Sequence, residues 1–404
     1  SELSSEFWRG RPPTWAELQA GVDIEREINP RLITLLEEKL AAHRNQTVVL
    51  EHTPGAGGTT AALRAAWDLH KQYPVAVLHR YSSALAERVR ELFQVAERPV
   101  LLVADASELT ETAREDLHRY FAANNCRVVL LYLRRSFALP DGGSAMSIAS
   151  MNKTEARSFL QAYSSLTPDG RRRKELTKIA HQKDLDRYRV PFFFGLVTFE
   201  REFLGIDKFV ASHLEGVRVA VRTVLEHLAL VTIFSNGGIS VALLKTLLGV
   251  DAKSELLIED LIGAGPASLL IARGSNVRFM HQMIAEKVLA HFQGGRSDEW
   301  RLDLKTYSIS LVRDAVEAAG AEAMRTLFRQ MFVDRMGAFD GAEDREEFAP
   351  IIESLDALDP ALGHSVLEFL CRECPEESHF WSHLGRHQIY RLKRDYDKAG
   401  EYLQ

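Results

Sequence analysis

Residues 47–69, TVVLEHTPGAGGTTAALRAAWDL, constrain this chain more than any other stretch. A β-branched apolar run enters a turn built from Pro54, Gly55, Ala56, Gly57 and Gly58. Two threonines, Thr59 and Thr60, follow, and then a segment with helical composition and spacing. A buried strand that breaks into glycines and resumes as a helix has the order of a phosphate cradle. Glycines let the backbone turn tightly and bring consecutive N–H groups to one anion. A helix starting at Thr59 adds the positive end of its dipole. A threonine hydroxyl there suits Mg²⁺, which takes oxygen ligands and keeps several waters.

Set against the P-loop pattern G-x-x-x-x-G-K-[ST], Gly57-Gly58-Thr59 puts glycine where the phosphate-binding lysine belongs. His52 stands where the first glycine belongs. The missing lysine removes a charge-assisted hydrogen bond worth about 1.5–3 kcal/mol, which is roughly one to two decades of affinity. Binding through backbone and metal survives that loss better than fast hydrolysis does. The plain alternative is a glycine-rich β-to-α turn with no ligand. Strand, turn, paired threonines and helix together favour the ligand.

Strands and helices alternate around this unit. Residues 74–81, 99–106 and 126–135 read as strands, with helices over 83–96 and 110–124 between them. An amphipathic helix over 30–42 precedes the cradle, and residues 1–28 are irregular in composition. This pattern predicts an α/β P-loop NTPase domain with a parallel sheet and right-handed crossovers. Its ligand belongs outside the carboxyl ends of the strands. From Lys153 the period becomes helical almost throughout. Two short strands around Gly274-Ser275-Asn276, after helices over 219–234, 240–248 and 255–262, read as a winged helix. Helices over 303–318, 322–332, 348–358, 361–374 and 378–394 read as the start of an α-solenoid. The last of them opens a tetratricopeptide-like spacing at Trp381, Gly385, Tyr390, Tyr396 and Ala399. The expected domains are a linker segment 1–28, a P-loop nucleotide-binding domain 29–151, a helical lid 152–215, a winged-helix domain 216–296 and a helical-repeat segment 297–404.

At 404 residues the chain is too long for one core. Its hydrophobic fraction of 46% and charged fraction of 26% are those of an ordinary globular protein. A formal net charge of −6 argues against wholesale coating of nucleic acid. No apolar run is long enough to span a bilayer, and the opening SELSSEFWRG is not a signal peptide. A cytoplasmic protein with no membrane partner is expected. Three cysteines (Cys126, Cys371 and Cys374) suit a reducing compartment better than a disulfide framework. The chain stops at KAGEYLQ inside a helical pattern, which reads as a fragment of a longer protein.

Several residues could carry chemistry. Asp105, ending an apolar strand, is the candidate Walker B acid, placed to orient Mg²⁺ or a water opposite Thr59. Its plain role would be to cap the next turn. Glu108, three residues on, could position a water but reads better as a solvated loop carboxylate. Arg134 and Arg135 end the fourth strand, where a guanidinium reaches a γ-phosphate and could replace the charge missing at Gly58; Arg134 is the preferred one. His281 follows the hairpin and opens a helix, and Pro191 starts one. Arg171, Arg172, Arg173 and Lys174 read first as a solvated face, with an acidic partner as the minor reading. Cys371, Cys374, His379, His383 and His387 could form a zinc site, but they lie in a helical solenoid without a second distant pair, which favours ordinary packing.

The whole order resembles the STAND class of signalling NTPases. The stretches FWRGRPPTWAEL, PGAGGTTAALRAAWDL, VPFFFGLVTFEREF, VRFMHQMIAEKVL and SHFWSHLGR are most similar to the NTPase region of the sterile alpha motif domain-containing protein nine group and its bacterial relatives. In that group the glycine-for-lysine loop is the usual form. The resemblance implies that Gly55, Ala56, Gly57, Gly58, Thr59 and Thr60 hold the phosphates and Mg²⁺ of ATP or ADP. It makes Asp105 the Walker B acid and Arg134 the sensor. It implies that Pro191 packs on adenine, that His281 meets the β-phosphate of ADP in a closed state, and that Arg26 and Ile24 touch the base. Ala106 departs from the pattern, because many STAND proteins carry a second acid there. The function implied is a regulatory ATP/ADP switch in signalling or antiviral defence, with weak ATPase activity at most. Such a switch forms a homo-oligomer on activation and drives an effector domain elsewhere in the full-length chain. The rivals are an ATPase motor, which lacks its lysine and a clear catalytic glutamate here, and a nucleotide-free helical-repeat scaffold for partner or nucleic-acid recognition.

Overall fold

The computed structural model describes residues 7–8, 10–42, 44–79, 81–106, 108–109, 111–135, 146–182, 186, 188–200, 203, 205–235, 238–294, 299–333, 348–392 and 396–402. Two uninterrupted apolar runs form the middle of its larger sheet, as buried parallel strands require. They are β3 (Val100–Asp105) and β4 (Val128–Arg135), and nearly all of their side chains are buried. With β1 (Gln46–His52), β2 (Val75–Val77) and β5 (Ser147–Ile148) they make one sheet in the order β2-β3-β4-β1-β5. Every pairing is parallel. β4 therefore lies between the strand that leads into the glycine turn and the strand that ends on Asp105. The two-residue β5 has no periodicity to announce it, yet Glu51 N–H donates to Met146 O (3.0 Å) and Thr53 N–H to Ile148 O (3.0 Å).

The chain divides into two compact units, Ser1–Phe203 and Leu204–Gln404. In the first, the irregular reading of the N-terminal segment needs correction. Trp15–Gln19 is a short helix with a reciprocal cap: Glu17 N–H donates to Thr14 Oγ1 (3.3 Å), and Thr14 N–H donates to the Glu17 carboxylate (2.8 Å). T-x-x-E is a capping-box signature, so the signal was present in the sequence. After the sheet come the helices Lys153–Leu166, capped by Asn152, and Gly170–His181, capped by Asp169. The helix Pro191–Phe199 then buries Phe193 and Phe194, the latter meeting Phe159 and Tyr163 ring to ring. Proline starts this helix at no cost, because its missing N–H would have had no intrahelical partner.

In the second unit the helix Val219–Phe234 is apolar nearly all round and buried over most of its length, as a central helix should be. A three-stranded antiparallel sheet, β6-β8-β7, accompanies it: β6 Ile239–Ser240, β7 Leu270–Arg273 and β8 Asn276–Phe279. Gly274, first of the two hairpin residues, has φ 58°, which suits the strands' twist and which other residues rarely adopt. The helices Leu304–Ala319, Ala321–Phe332, Pro350–Asp356, Pro360–Glu373, Ser378–Tyr390 and Tyr396–Tyr402 follow, each packed on the next. Leu304–Ala319 also packs on Pro360–Glu373. Of the tetratricopeptide-like positions, Gly385 and Ala399 are buried, whereas Tyr390 and Tyr396 are exposed. Among the described residues no helix is long and apolar enough to cross a membrane.

Candidate nucleotide site

The glycine turn leaves the carboxyl end of β1. Ala56 N–H donates to Thr53 O (3.1 Å), and Ala56 itself is fully buried. Gly55 (φ 72°) and Gly57 (φ 87°) are both left-handed, a conformation that costs a residue with a Cβ. Gly57 is the N-cap of the helix Gly58–Leu69, and its carbonyl accepts from Ala61 N–H (2.9 Å). The helix's first amides have no partner within the helix, and a glycine cap has no side chain to supply one. Thr59 and Thr60 lie half-buried in that first turn. Asp105 ends β3 opposite Leu133 of β4, so it stands on the same edge of the sheet as the turn.

The two departures from the P-loop pattern meet in space. A Cβ built on Gly58 would overlap His52 Cγ and Cδ2 and would lie 2.7 Å from His52 Cβ. His52 is buried, and its Nδ1 lies 3.2 Å from Thr53 O, which fixes that nitrogen as the donor. The His52 side chain thus occupies the space that a side chain at position 58 would need.

Charged side chains brace the turn from the outside. Arg26 is buried, with Nε 2.7 Å from Glu155 Oε1, and its Nη1 donates to the Ala56 carbonyl of the turn. Its own backbone is tied to Asn29, which donates to Ala61 O (3.0 Å) in the cradle helix. Burial opposes ionisation of Glu155, but Arg26's hydrogen bonds and charge, with the Glu27 amide, hold that carboxyl below its ordinary value. Arg64, on the cradle helix, pairs with Asp23 and donates to Leu18 O (2.8 Å). Pro191 Cγ stands 3.5 Å, and Arg26 Nη1 3.8 Å, from where a Gly57 Cβ would be. Phe192 N–H donates to Gly55 O (3.3 Å). The sequence-predicted residues Arg26, Pro191 and Gly55 to Gly58 therefore converge. Ile24 is half-buried between Asp23 and Arg26.

Arg134 is also at the sheet's carboxyl edge, but its guanidinium pairs with Glu51, its register partner on β1. Both side chains are buried. Glu51 and Glu155 were not expected as participants. The signals for them were a lone carboxylate inside the apolar run VVLEH and a glutamate in the first turn after Asn152. His281 belongs to the second unit. It N-caps the helix Gln282–Phe292, with Nδ1 accepting from Met283 N–H (3.0 Å), so its proton sits on Nε2.

A Mg²⁺–nucleotide fits this donor set: amides and a helix terminus for phosphate, the Thr59 hydroxyl and Asp105 carboxylate as hard oxygens for the ion. The cysteine–histidine group is different. Burial raises Cys371 to about 12 and Cys374 to about 11, far from thiolates. Among the described residues no group of three or more His, Cys, Asp or Glu could hold a metal ion.

Residues 5–137 match the family model described as Novel STAND NTPase 5. The chain is a relative of the STAND-class NTPases. Human sterile alpha motif domain-containing protein 9-like is 25% identical over 391 residues, 88% of this chain and 23% of that protein. Human sterile alpha motif domain-containing protein 9 is 23% identical over 435 residues, 98% of this chain and 26% of that protein. The chain thus spans about a quarter of the length of the curated relatives it matches. Among solved structures, a STAND protein with a tetratricopeptide repeat sensor from Pyrococcus horikoshii aligns over 94% of this chain and 63% of its own, at 12% identity and a TM-score of 0.35. The STAND match lies on the part of the chain that holds the glycine turn, Arg26, Asp105 and Arg134.

Proposed function

We propose that the chain is a STAND-type regulatory switch that binds ADP or ATP with Mg²⁺ and hydrolyses ATP slowly or not at all. The observation that carries this is the turn Gly55 to Gly58: two left-handed glycines deliver a helix N-terminus without a side-chain cap beside β3 and β4. Thr59 and Asp105 are the expected metal ligands. Arg134 is the expected γ-phosphate sensor, released from Glu51 when ATP binds. Pro191 and Arg26 are the expected neighbours of the base end of the nucleotide, since both flank Gly57. The three-stranded sheet with its preceding helices is read as the winged helix, and His281 Nε2–H as a donor to ADP in the resting state. Residues 297–404 are read as helical repeats. The domain limits 29–151, 152–215 and 216–296 belong to this proposal.

Exchange of ADP for ATP changes which contacts the nucleotide makes, and only such differential contacts shift a two-state equilibrium. Oligomerisation and effector control would follow from that shift, in a cytoplasmic defence or signalling protein. Mass spectrometry of nucleotide released from the purified chain tests the core of this reading. Adenine nucleotide at near one equivalent, with turnover well below one per second, is the expected outcome. Protein that carries none and gains no thermal stability from Mg·ADP would overturn it.

A further inference from the structure

His52 and Gly58 are separate departures in the sequence but one contact in the fold. The atoms of His52 that a Cβ at position 58 would strike are Cβ, Cγ and Cδ2. A rotamer change would move Cγ and Cδ2 but not Cβ, which is fixed to the last residue of β1 and alone lies 2.7 Å from the added carbon, so the overlap cannot be cleared without moving the strand. Backbone strain is not the cause. Gly58 is the first residue of its helix and lies outside the left-handed region, so only space forbids a side chain there.

We propose that His52 sets the form of the phosphate cradle: seated on Gly58, its side chain keeps position 58 free of any side chain. Phosphate is then held by backbone amides and a divalent cation instead of a lysine ammonium. The steric part stands on the geometry alone, whereas the ligand part rests on the nucleotide-binding reading above. Two consequences follow. A lysine cannot be restored at position 58 without also emptying position 52. The cradle also leans on the metal more heavily than a lysine-bearing loop does, because one cationic side chain fewer faces the phosphates.

The test is a cycle of Gly58→Ala, Gly58→Lys and His52→Gly with the two doubles, measured by melting temperature without nucleotide and by titration with Mg·ADP. Alanine at a helix position normally raises stability over glycine. Here Gly58→Ala alone is expected to lower the melting temperature, and to raise it in the His52→Gly background. Gly58→Lys alone is expected to weaken Mg·ADP binding at least tenfold. Gly58→Lys with His52→Gly should recover that loss and should lose less affinity than the native chain when Mg²⁺ is chelated. Additive melting temperatures, or Gly58→Ala stabilising the native background, would overturn the steric pairing. Gly58→Lys binding as tightly as its double would overturn the ligand part. A native chain that binds no Mg·ADP, with the change of sign in melting temperature intact, would leave the pairing standing and bring down the nucleotide reading instead.

Discussion

The two units bury polar side chains in different places. In the N-terminal unit, Arg26, Glu51, His52 and Arg134 sit in the glycine turn's wall or at the strand ends beside it. In the C-terminal unit, His227 pairs with Asp314 (2.8 Å) and His387 with Asp356 (2.9 and 3.0 Å), each joining one helix to another. Burying an ionisable group costs free energy unless it is paired, so both sets need partners. The first set surrounds the start of a helix whose glycine N-cap supplies no side-chain acceptor. Buried charge alone therefore does not distinguish the two sets; what does is the left-handed glycine turn that the first set walls.

Breaking one member of a pair should expose that difference. Arg26→Ala leaves the half-buried Glu155 without its cation and removes the donor to Ala56. A loss of about 3–5 kcal/mol is expected in denaturant unfolding of the N-terminal unit, together with loss of nucleotide binding. By contrast, His387→Leu combined with Asp356→Leu removes both partners of a helix tie, and Arg391, which also meets Asp356 (3.6 Å), keeps Glu353 (2.5 Å). Its stability change should stay within about 1 kcal/mol, because apolar replacement of a whole pair is often near neutral.

Thr59→Ala comes next in size. Mg·ADP affinity should fall at least tenfold, about 1.4 kcal/mol. The nucleotide-free melting temperature should barely move, since the side chain is half-buried and belongs to no core contact argued above. His281→Ala removes a cap and should destabilise the C-terminal unit by about 1 kcal/mol, with the nucleotide-free N-terminal unit unchanged.

The smallest effect is a pH dependence. The hydrogen bond from His227 holds Asp314 below the ordinary carboxylate range, and Arg26 does the same for Glu155 against the opposing effect of burial. A carboxyl whose folded pKa is depressed contributes stability above its unfolded pKa of about 4. That contribution disappears as pH falls through the lower folded value. Melting temperatures measured from pH 7 down to pH 3 should decline, and Asp314→Asn should flatten part of the decline. An unchanged slope in that variant would remove the pair from the account.

Much of the sheet was legible because its strands are short apolar runs with clear stops. The run LLVADA ends on its acid, and VVLLYLRR ends on its arginines. The strand, glycine turn and helix were legible because glycine spacing is a backbone requirement that shows in composition. What remained hidden was contact between residues far apart in sequence. Nothing near Arg134 announces Glu51, and nothing near Arg26 announces Glu155, because register and helix placement decide those pairings. The reason for Gly58 was hidden for the same cause: its explanation lies at His52, across the turn. The strands β5 and β6 are too short to carry any period, so only the sheet around them reveals them. The short helix Trp15–Gln19 had a readable signal in T-x-x-E that composition alone obscured.

The most direct test is the melting temperature of the purified chain titrated with Mg·ADP and Mg·ATP. A ligand at a hundred times its Kd contributes about 2.7 kcal/mol, so the nucleotide-binding unit should melt roughly 5–10 °C higher, and a tenfold weaker Thr59→Ala should lose about half of the rise at the same concentration. A melting curve that neither nucleotide moves, in protein first stripped of any bound nucleotide, would contradict a cradle built from amides around the three glycines.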